Sequence, residues 1–592
     1  MKWGRFHHLF AVLLTWALCI TAVFTGAAVP SYAASISWNF KDNDFKNLGT
    51  IRSTITVNDL TLIATEDKTM SVNPNTQTVD NTTYTYCLAL GGSGSREYRS
   101  VKIPVSGESV IKVTLMSSGD SERSLIVADG NGTELTTLPA KTVAETAVYN
   151  YNGAAGYLYL YSGGSGINLY KIQVDDKSSS SDPTDGTIVT NFNDLLSAIS
   201  RAESDKKGII YVKGTSIDCT EQIKLSKENV NISIIGLQNS DGSYPVLDFA
   251  PFLASYIGTA SGDAQVGVRI TGSGYTLQNL IIQKAPDNGI QIKGSKAGNN
   301  KIKNCIVRYN NDAGLQITGG AYNNEIRFVY SYRNCDVYTL GGNADGFAPK
   351  LAAGTGNTFY GCYAWDNSDD GWDSYDKTDG LTLNLSYIEC ATWNNGNPSV
   401  FTGEYDFNNG KPLDTNLLLV QLILKQDPSF AANYANKNFL LPSGNFIKTS
   451  AGTISLASWT GDKYDGNPNG FKFGSVNTTS QCERTVENCV SFNHKNKGFD
   501  NNNSSCTASF KNCVAFDNGC NYAIQPFTLT SFINILGFSG GSKDKLPNGY
   551  SVTTPDAQTQ TAIRNTVAST VNTIVSNCEN NRIEQIYFDI YR

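Results

Sequence analysis

The chain has 592 residues, too many for one ordinary compact domain unless a repeat array makes up much of it. Charged residues make up only 17% and Met only 3, against 54 Gly, which suits short strands and turns and argues against an all-helical fold. A formal net charge of −7 argues against nucleic acid as a partner, because phosphate binding needs a basic face, but it leaves room for an acidic polymer met through a cation.

Residues 1–34 read as a secretory signal peptide, with Lys2 and Arg5, an apolar run from Leu9 to Val23, and small residues ending at Ala33 and Ala34. No later stretch is apolar enough to span a bilayer, so the expected product is secreted, extracellular and off the membrane. Loss of the signal leaves twelve cysteines and a single histidine, His494. His-rich zinc sites are thereby excluded, and chemistry falls to carboxylates, Lys, Arg, Tyr or a hard metal.

Residues 35–174 carry short alternating segments such as Ser109–Leu115 and Tyr157–Tyr161, the pattern of a β-sandwich. Tyr157, Tyr159, Tyr161 and Tyr170 either stack on sugar rings or pack within the fold. The polar run inside residues 175–187 reads as a linker.

From residue 188, Phe192, Leu195, Leu196, Ile199 and Ala202 fall at helical spacing and predict a capping helix. One theme then recurs to about residue 550: a Cys-led or apolar strand, an Asn/Asp pair, then Gly and a bulky apolar residue. Cys305, Cys362, Cys390, Cys489 and Cys513 lead the strands, and Gly289-Ile290, Gly314-Leu315, Gly346-Phe347, Gly371-Trp372, Gly470-Phe471 and Gly498-Phe499 follow. Neighbouring copies are mostly 24 to 28 residues apart, one coil of a parallel β-helix. The fold class is therefore all-β: a right-handed parallel β-helix over residues 188–550, preceded by the sandwich. The repeated cysteines read as a core stack, whereas Cys482 and Cys506 are either bridged or free. Ile563, Val567, Val571 and Ile574 predict a helix within residues 551–592 that covers or flanks the far end.

Acidic residues concentrate in two consecutive coils, Asn343-Ala344-Asp345-Gly346-Phe347-Ala348-Pro349-Lys350 and Asp366-Asn367-Ser368-Asp369-Asp370-Gly371-Trp372-Asp373. Alignment on Gly346 and Gly371 sets Asp345 beside Asp370, with Asp369 and Asp373 flanking. Such a group is either a solvated acidic turn or a cation site, and hard oxygen ligands without His or thiolate suit calcium better than zinc or copper. The same alignment makes Asp373 and Lys472 equivalent, both expected to point out of the core.

Together with Gly267-Val268-Arg269-Ile270, Asn334-Cys335-Asp336 and Asn469-Gly470-Phe471-Lys472, these motifs resemble the bacterial pectate lyases of polysaccharide lyase family 9, over about Ile188 to Asn521. The resemblance implies that Asp345, Asp369, Asp370 and Asp373 bind calcium (Ca2+) and that Lys472 is the proton-abstracting base. It also implies a monomeric enzyme that cuts pectate, an acidic plant cell-wall polysaccharide, by β-elimination. The sandwich looks like the jelly-roll modules attached to carbohydrate-active enzymes. One departure is that 98 residues separate Asp373 from Lys472, so an insertion over about 398–466 is expected beside the cleft, bringing Lys411, Lys437 and Lys448 as weaker alternative bases. Competing readings are a rhamnogalacturonan lyase on the same fold, a β-helical glycoside hydrolase with paired carboxylates, and a non-catalytic surface adhesin stabilised by calcium.

Overall fold

The computed structural model describes residues 35–592 except 80–81, 106, 154–155, 177–182, 240, 256–261, 378–379, 427, 430–447, 450–451, 454–463, 589 and 591–592. The signal-like residues 1–34 and residues 177–182 of the polar linker run therefore lie outside the described residues. The chain divides into a unit ending at residue 181 and a second beginning at residue 182.

The first unit is a sandwich of a seven-stranded and a six-stranded sheet whose pairings are antiparallel. Alternation along each strand builds its core: Gly156–Ser162 buries Leu158 and Leu160, while Tyr157, Tyr159 and Tyr161 stay half-buried on the other face. Tyr170 differs from those three. Its ring is fully buried and its hydroxyl donates to Asn75 Oδ1 at 2.9 Å, so it packs and holds the fold.

The second unit opens with the helix Phe192–Asp205, whose first turn is capped by the Asn191 side chain accepting the Asp194 N–H. Phe192, Leu195, Ala198, Ile199 and Ala202 close the near end of the β-helix core. Beyond it the strands form a seventeen-stranded and a nine-stranded parallel sheet. A typical coil gives two successive strands to the first sheet and one to the second, as in Asn357–Tyr360, Tyr363–Trp365 and Trp372–Asp373. Parallel crossovers of this kind wind right-handed.

Two corners of each coil are made by single residues in the left-handed region. One row is Asn279, Asn304, Phe328, Glu389, Asn488 and Asn512, and the other is Tyr309, Arg333, Asp366, Asn394, Asn493 and Asp517, with φ from 48° to 58° throughout. The Asn/Asp pair after each strand thus has two separate tasks. Its first member turns the chain, and its second joins a buried ladder. Asn310, Asn334, Asn367 and Asn395 each donate from Nδ2 to the side chain one coil on, at 2.8 to 3.2 Å, ending on His494 Nε2. The ladder satisfies amides and backbone N–H groups that burial would otherwise leave unpaired.

Inside the coils Phe347, Trp372, Phe471, Phe499 and Tyr522 stack with ring centroids 4.6 to 5.0 Å apart. All twelve described cysteines are buried and free, including Cys482 and Cys506. The repeated ones give their thiol to a carbonyl of a neighbouring coil, as Cys489 does to Tyr387 O at 3.3 Å.

A second stack, Tyr332, Trp365, Trp393, Phe492, Phe516 and Phe538, lies on the outside of the longer sheet. The C-terminal helix Ala557–Glu579 covers it with Ile563, Val567, Ile574 and Cys578. The helix flanks the coils and reaches back to the first ones, where Arg308 donates to Cys578 O and Asn581 Oδ1. It does not sit over the last coil, because the apolar surface that needs covering runs along the side. No helix among the described residues is long and apolar enough to cross a membrane.

Candidate functional site

The nine-stranded sheet positions the acidic group. Its strands alternate tightly: Phe347, Trp372 and Phe471 point into the core, so Asp373 and Lys472 point out, and the two pair directly across adjacent coils. Gly346 N donates to Asp370 O and Gly371 N to Asn469 O, which fixes the register that sets Asp345 beside Asp370. A Cβ on Gly371 would lie 2.1 Å from Thr392 Oγ1 and 2.7 Å from Gly470 O, so only glycine admits this close approach.

Asp345, Asp370 and Asp373 each offer a carboxylate oxygen within 4.8 Å of the others, and all three are buried. Two oxygens bound at 2.3–2.6 Å to one calcium-sized ion lie at most about 5 Å apart, so the spacing and the all-oxygen donor set fit a hard divalent cation. Asp369 is placed differently. Its Oδ1 accepts the Asn467 N–H at 2.6 Å and its Oδ2 the Asn343 N–H at 2.8 Å, so both its oxygens tie loops to the site.

Two ammonium groups neutralise the cluster. Lys472 Nζ lies 2.9 Å from Asp370 Oδ2 and 3.2 Å from Asp373 Oδ1. Lys350 Nζ lies 2.6 Å from Asp345 Oδ2 and 3.2 Å from Asp373 Oδ2. Burial raises the pKa of Asp345 and Asp370 well above the usual carboxylate range, against the pull of their lysines. Asp373 also suffers burial, yet Lys472 and Lys350 outweigh it and hold its carboxyl below the ordinary value. Burial disfavours the charge on Lys472, but Asp370 and Asp373 overcome that and push its pKa well above the ordinary lysine value.

Lys350, absent from the residues singled out in the sequence, belongs to the site. Its signal is the strand alternation itself, since Phe347 and Pro349 face in and Lys350 therefore projects as Lys472 does. Asn469, which donates to Asp370 Oδ1 at 2.8 Å, and the half-exposed Tyr375, whose ring centroid is 5.8 Å from Lys472 Nζ, complete the surroundings. Of the alternative bases, Lys411 lies at the surface against Glu579, while Lys437 and the Lys448 side chain lie outside the described residues.

The described part of the insertion forms the helices Pro398–Thr402, Glu404–Asn408 and Leu418–Gln426. Val400, Phe401, Leu419 and Ile423 pack on Val337 and Leu340, and Arg333 ties it down through Asp406, at 2.7 Å, and Asp414. Its return segment delivers Asn467 to Asp369 and the Tyr464 hydroxyl to Ser368 O.

Residues 175–411 match the family described as Pel9A-like, right handed beta helix region. Among solved structures, the crystal structure of pectate lyase Pel9A aligns with a TM-score of 0.41 at 22% identity, over 60% of this chain and 72% of that one. Pectate lyase L of Dickeya chrysanthemi is 28% identical over 260 residues, 44% of this chain and 45% of that protein. Pectate lyase L of Paenibacillus polymyxa is 31% identical over 351 residues, 57% of this chain and 70% of that protein. With that share of a relative matched, and with this fold, the chain belongs to the pectate lyases of polysaccharide lyase family 9.

Proposed function

We propose that the enzyme cleaves pectate outside the cell by calcium-dependent β-elimination, with Asp345, Asp369, Asp370 and Asp373 around the ion and Lys472 as the base. The observation that carries this reading is the amine of Lys472 at the rim of three converging carboxylates, one strand from Asp373. A calcium ion held there supplies positive charge against the uronate carboxylate and so acidifies the proton on C5. Lys472 Nζ, in the fraction that has lost its own proton, takes that proton, and the C–H electron pair becomes the C4–C5 double bond as the C4–O bond breaks. The electrons of the C4–O bond leave on the glycosidic oxygen, and water protonates that oxygen. Asp370 and Asp373 aim the amine. Lys350 remains as a fixed positive charge beside Asp345.

The test is the ultraviolet absorbance of 4,5-unsaturated uronide released from pectate, with and without calcium, for the wild type and Lys472→Ala. Absorbance that depends on both calcium and Lys472 is expected. Normal turnover by Lys472→Ala at every pH overturns the assignment of the base, and a higher yield from rhamnogalacturonan moves the substrate to that polymer.

Export rests on the basic and apolar pattern of residues 1–34. Sugar binding by residues 35–174 is supported by Tyr157, Tyr159 and Tyr161 on one sheet face, with Lys102 Nζ 3.7 Å from the Tyr157 ring centroid. Retention of those residues on a pectate gel checks it.

A further inference from the structure

Outward side chains on the nine-stranded sheet form a continuous row from coil to coil: Arg269, Gln291, Gln316 and Ala348 lead to Asp373 and Lys472. Each lies between core residues, as Arg269 does between Val268 and Ile270, so each faces the same side as the candidate base. Lys293, two residues beyond Gln291, projects from that face as well.

At the N-terminal end of this row a carboxylate is held by three donors. Asp263 Oδ2 accepts from Arg269 Nη2 at 2.9 Å, and Lys293 Nζ reaches Oδ1 and Oδ2 at 2.8 and 2.7 Å. Gln291 Nε2 stands 3.4 Å from Oδ1. The Asp263 backbone is pinned, since its carbonyl accepts from the buried Gln222 at 2.9 Å and from Arg269 Nη1 at 3.2 Å. Its carboxylate nonetheless stays 44% exposed, and Lys293 37%, so the ion pair is open to solvent. Two atoms buried beneath it, Arg269 Nε and Gln291 Oε1, have no hydrogen-bond partner. A guanidinium, an ammonium and an amide converging on a carboxylate are what recognition of a sugar carboxylate requires.

We propose that Arg269 and Lys293 form a uronate-carboxylate subsite of the cleft, and that Asp263 is its built-in competitor. This rests on the polyuronate reading above. Adjacent coils are about 4.8 Å apart, which puts the strand of Lys293 about 14 Å and that of Arg269 about 19 Å from Asp373. One coil is comparable with one sugar unit, so the subsite grips the substrate three to four units from the bond that breaks. Short oligomers cannot use it.

The experiment compares kcat/KM on a galacturonate trimer and octamer, together with the affinity of the saturated octamer by calorimetry. Lys293→Ala, and Arg269→Ala with Lys293→Ala, lower the octamer-to-trimer ratio at least fivefold and weaken octamer binding to match. Asp263→Asn, which frees both cations, raises that ratio. A methyl-esterified octamer shows none of these affinity differences in calorimetry. Ratios and affinities within twofold of wild type for all three variants overturn the proposal. Absence of unsaturated product from wild type with either oligomer refutes the catalytic reading instead, and the subsite is then decided by octamer affinity alone.

Discussion

His494 stands where earlier coils carry the ladder asparagine, and acidification should expose the substitution. The ring is 1% exposed and has neutral hydrogen-bond partners: Nδ1 lies 3.0 Å from Asn518 Oδ1 and Nε2 lies 3.2 Å from Asn395 Nδ2. Asn395 can only donate there, so Nε2 accepts, Nδ1 carries the hydrogen, and the ring is neutral. Burial lowers its pKa from 6.5 to about 4, against a smaller upward pull from Asn518. In the unfolded chain the ring binds its proton near pH 6.5, whereas the folded protein refuses it until about pH 4. The stability associated with this group is therefore complete above pH 6.5 and is lost as the pH falls through that interval. A shift from 6.5 to about 4 amounts to about 3 kcal/mol once both states are protonated, of which about 2 kcal/mol is gone by pH 5. In His494→Asn the ladder continues without a titrating ring. Urea unfolding of the β-helix unit at pH 7.5 and pH 5 should show a stability loss about 2 kcal/mol smaller in the variant than in the wild type. Equal losses in the two proteins would refute the neutral ladder histidine.

Activity should climb through the alkaline range, because the amine fraction of Lys472 grows about tenfold per pH unit below its pKa, and a pH–rate profile reads this directly. Lys472→Ala should lose about 10²- to 10⁴-fold in kcat, measured by product absorbance. Chelation should abolish cleavage while leaving far-ultraviolet circular dichroism unchanged, since the core stacks do not involve the acidic cluster. Trp372→Ala should cost about 3–5 kcal/mol in a chemical denaturation series. Trp372→Phe should cost under about 1.5 kcal/mol, because Phe347 and Phe471 already flank it in the stack and the buried indole N–H has no partner to lose.

The coil period and the acidic register were legible because glycines mark one fixed position in each coil, and alternation around them decides what faces out. That logic reaches Asp345, Asp370, Asp373 and Lys472, and followed two residues further it reaches Lys350. Asp369 was legible as a member of the group but its tie to two loop amides was not, because Asn467 arrives from the far side of a long insertion. Helical spacing shows that Ile563, Val567 and Ile574 must cover something, without saying what. The outward Tyr332, Trp365, Trp393, Phe492 and Phe516, each just before a turn-forming residue, carry that answer and become intelligible only once the coils are stacked. His494 hides in plain sight, since a ladder recognised by asparagine does not announce a histidine.

The return of the C-terminal segment to the first coils has a consequence in time. Tyr244 N donates to Asn581 O, Arg582 to Asp241 O, and Arg308 to Cys578 O. Coils can stack in the order they are synthesised, each on the last, but the flank of the earliest is fastened by residues made more than 250 positions later. Until the helix Ala557–Glu579 is made, the outer aromatic column stays uncovered along its whole length. Assembly of this enzyme is thus a zipper whose clasp is made after the coils it holds, which makes chains cut short before residue 557 the ones most exposed to aggregation and proteolysis.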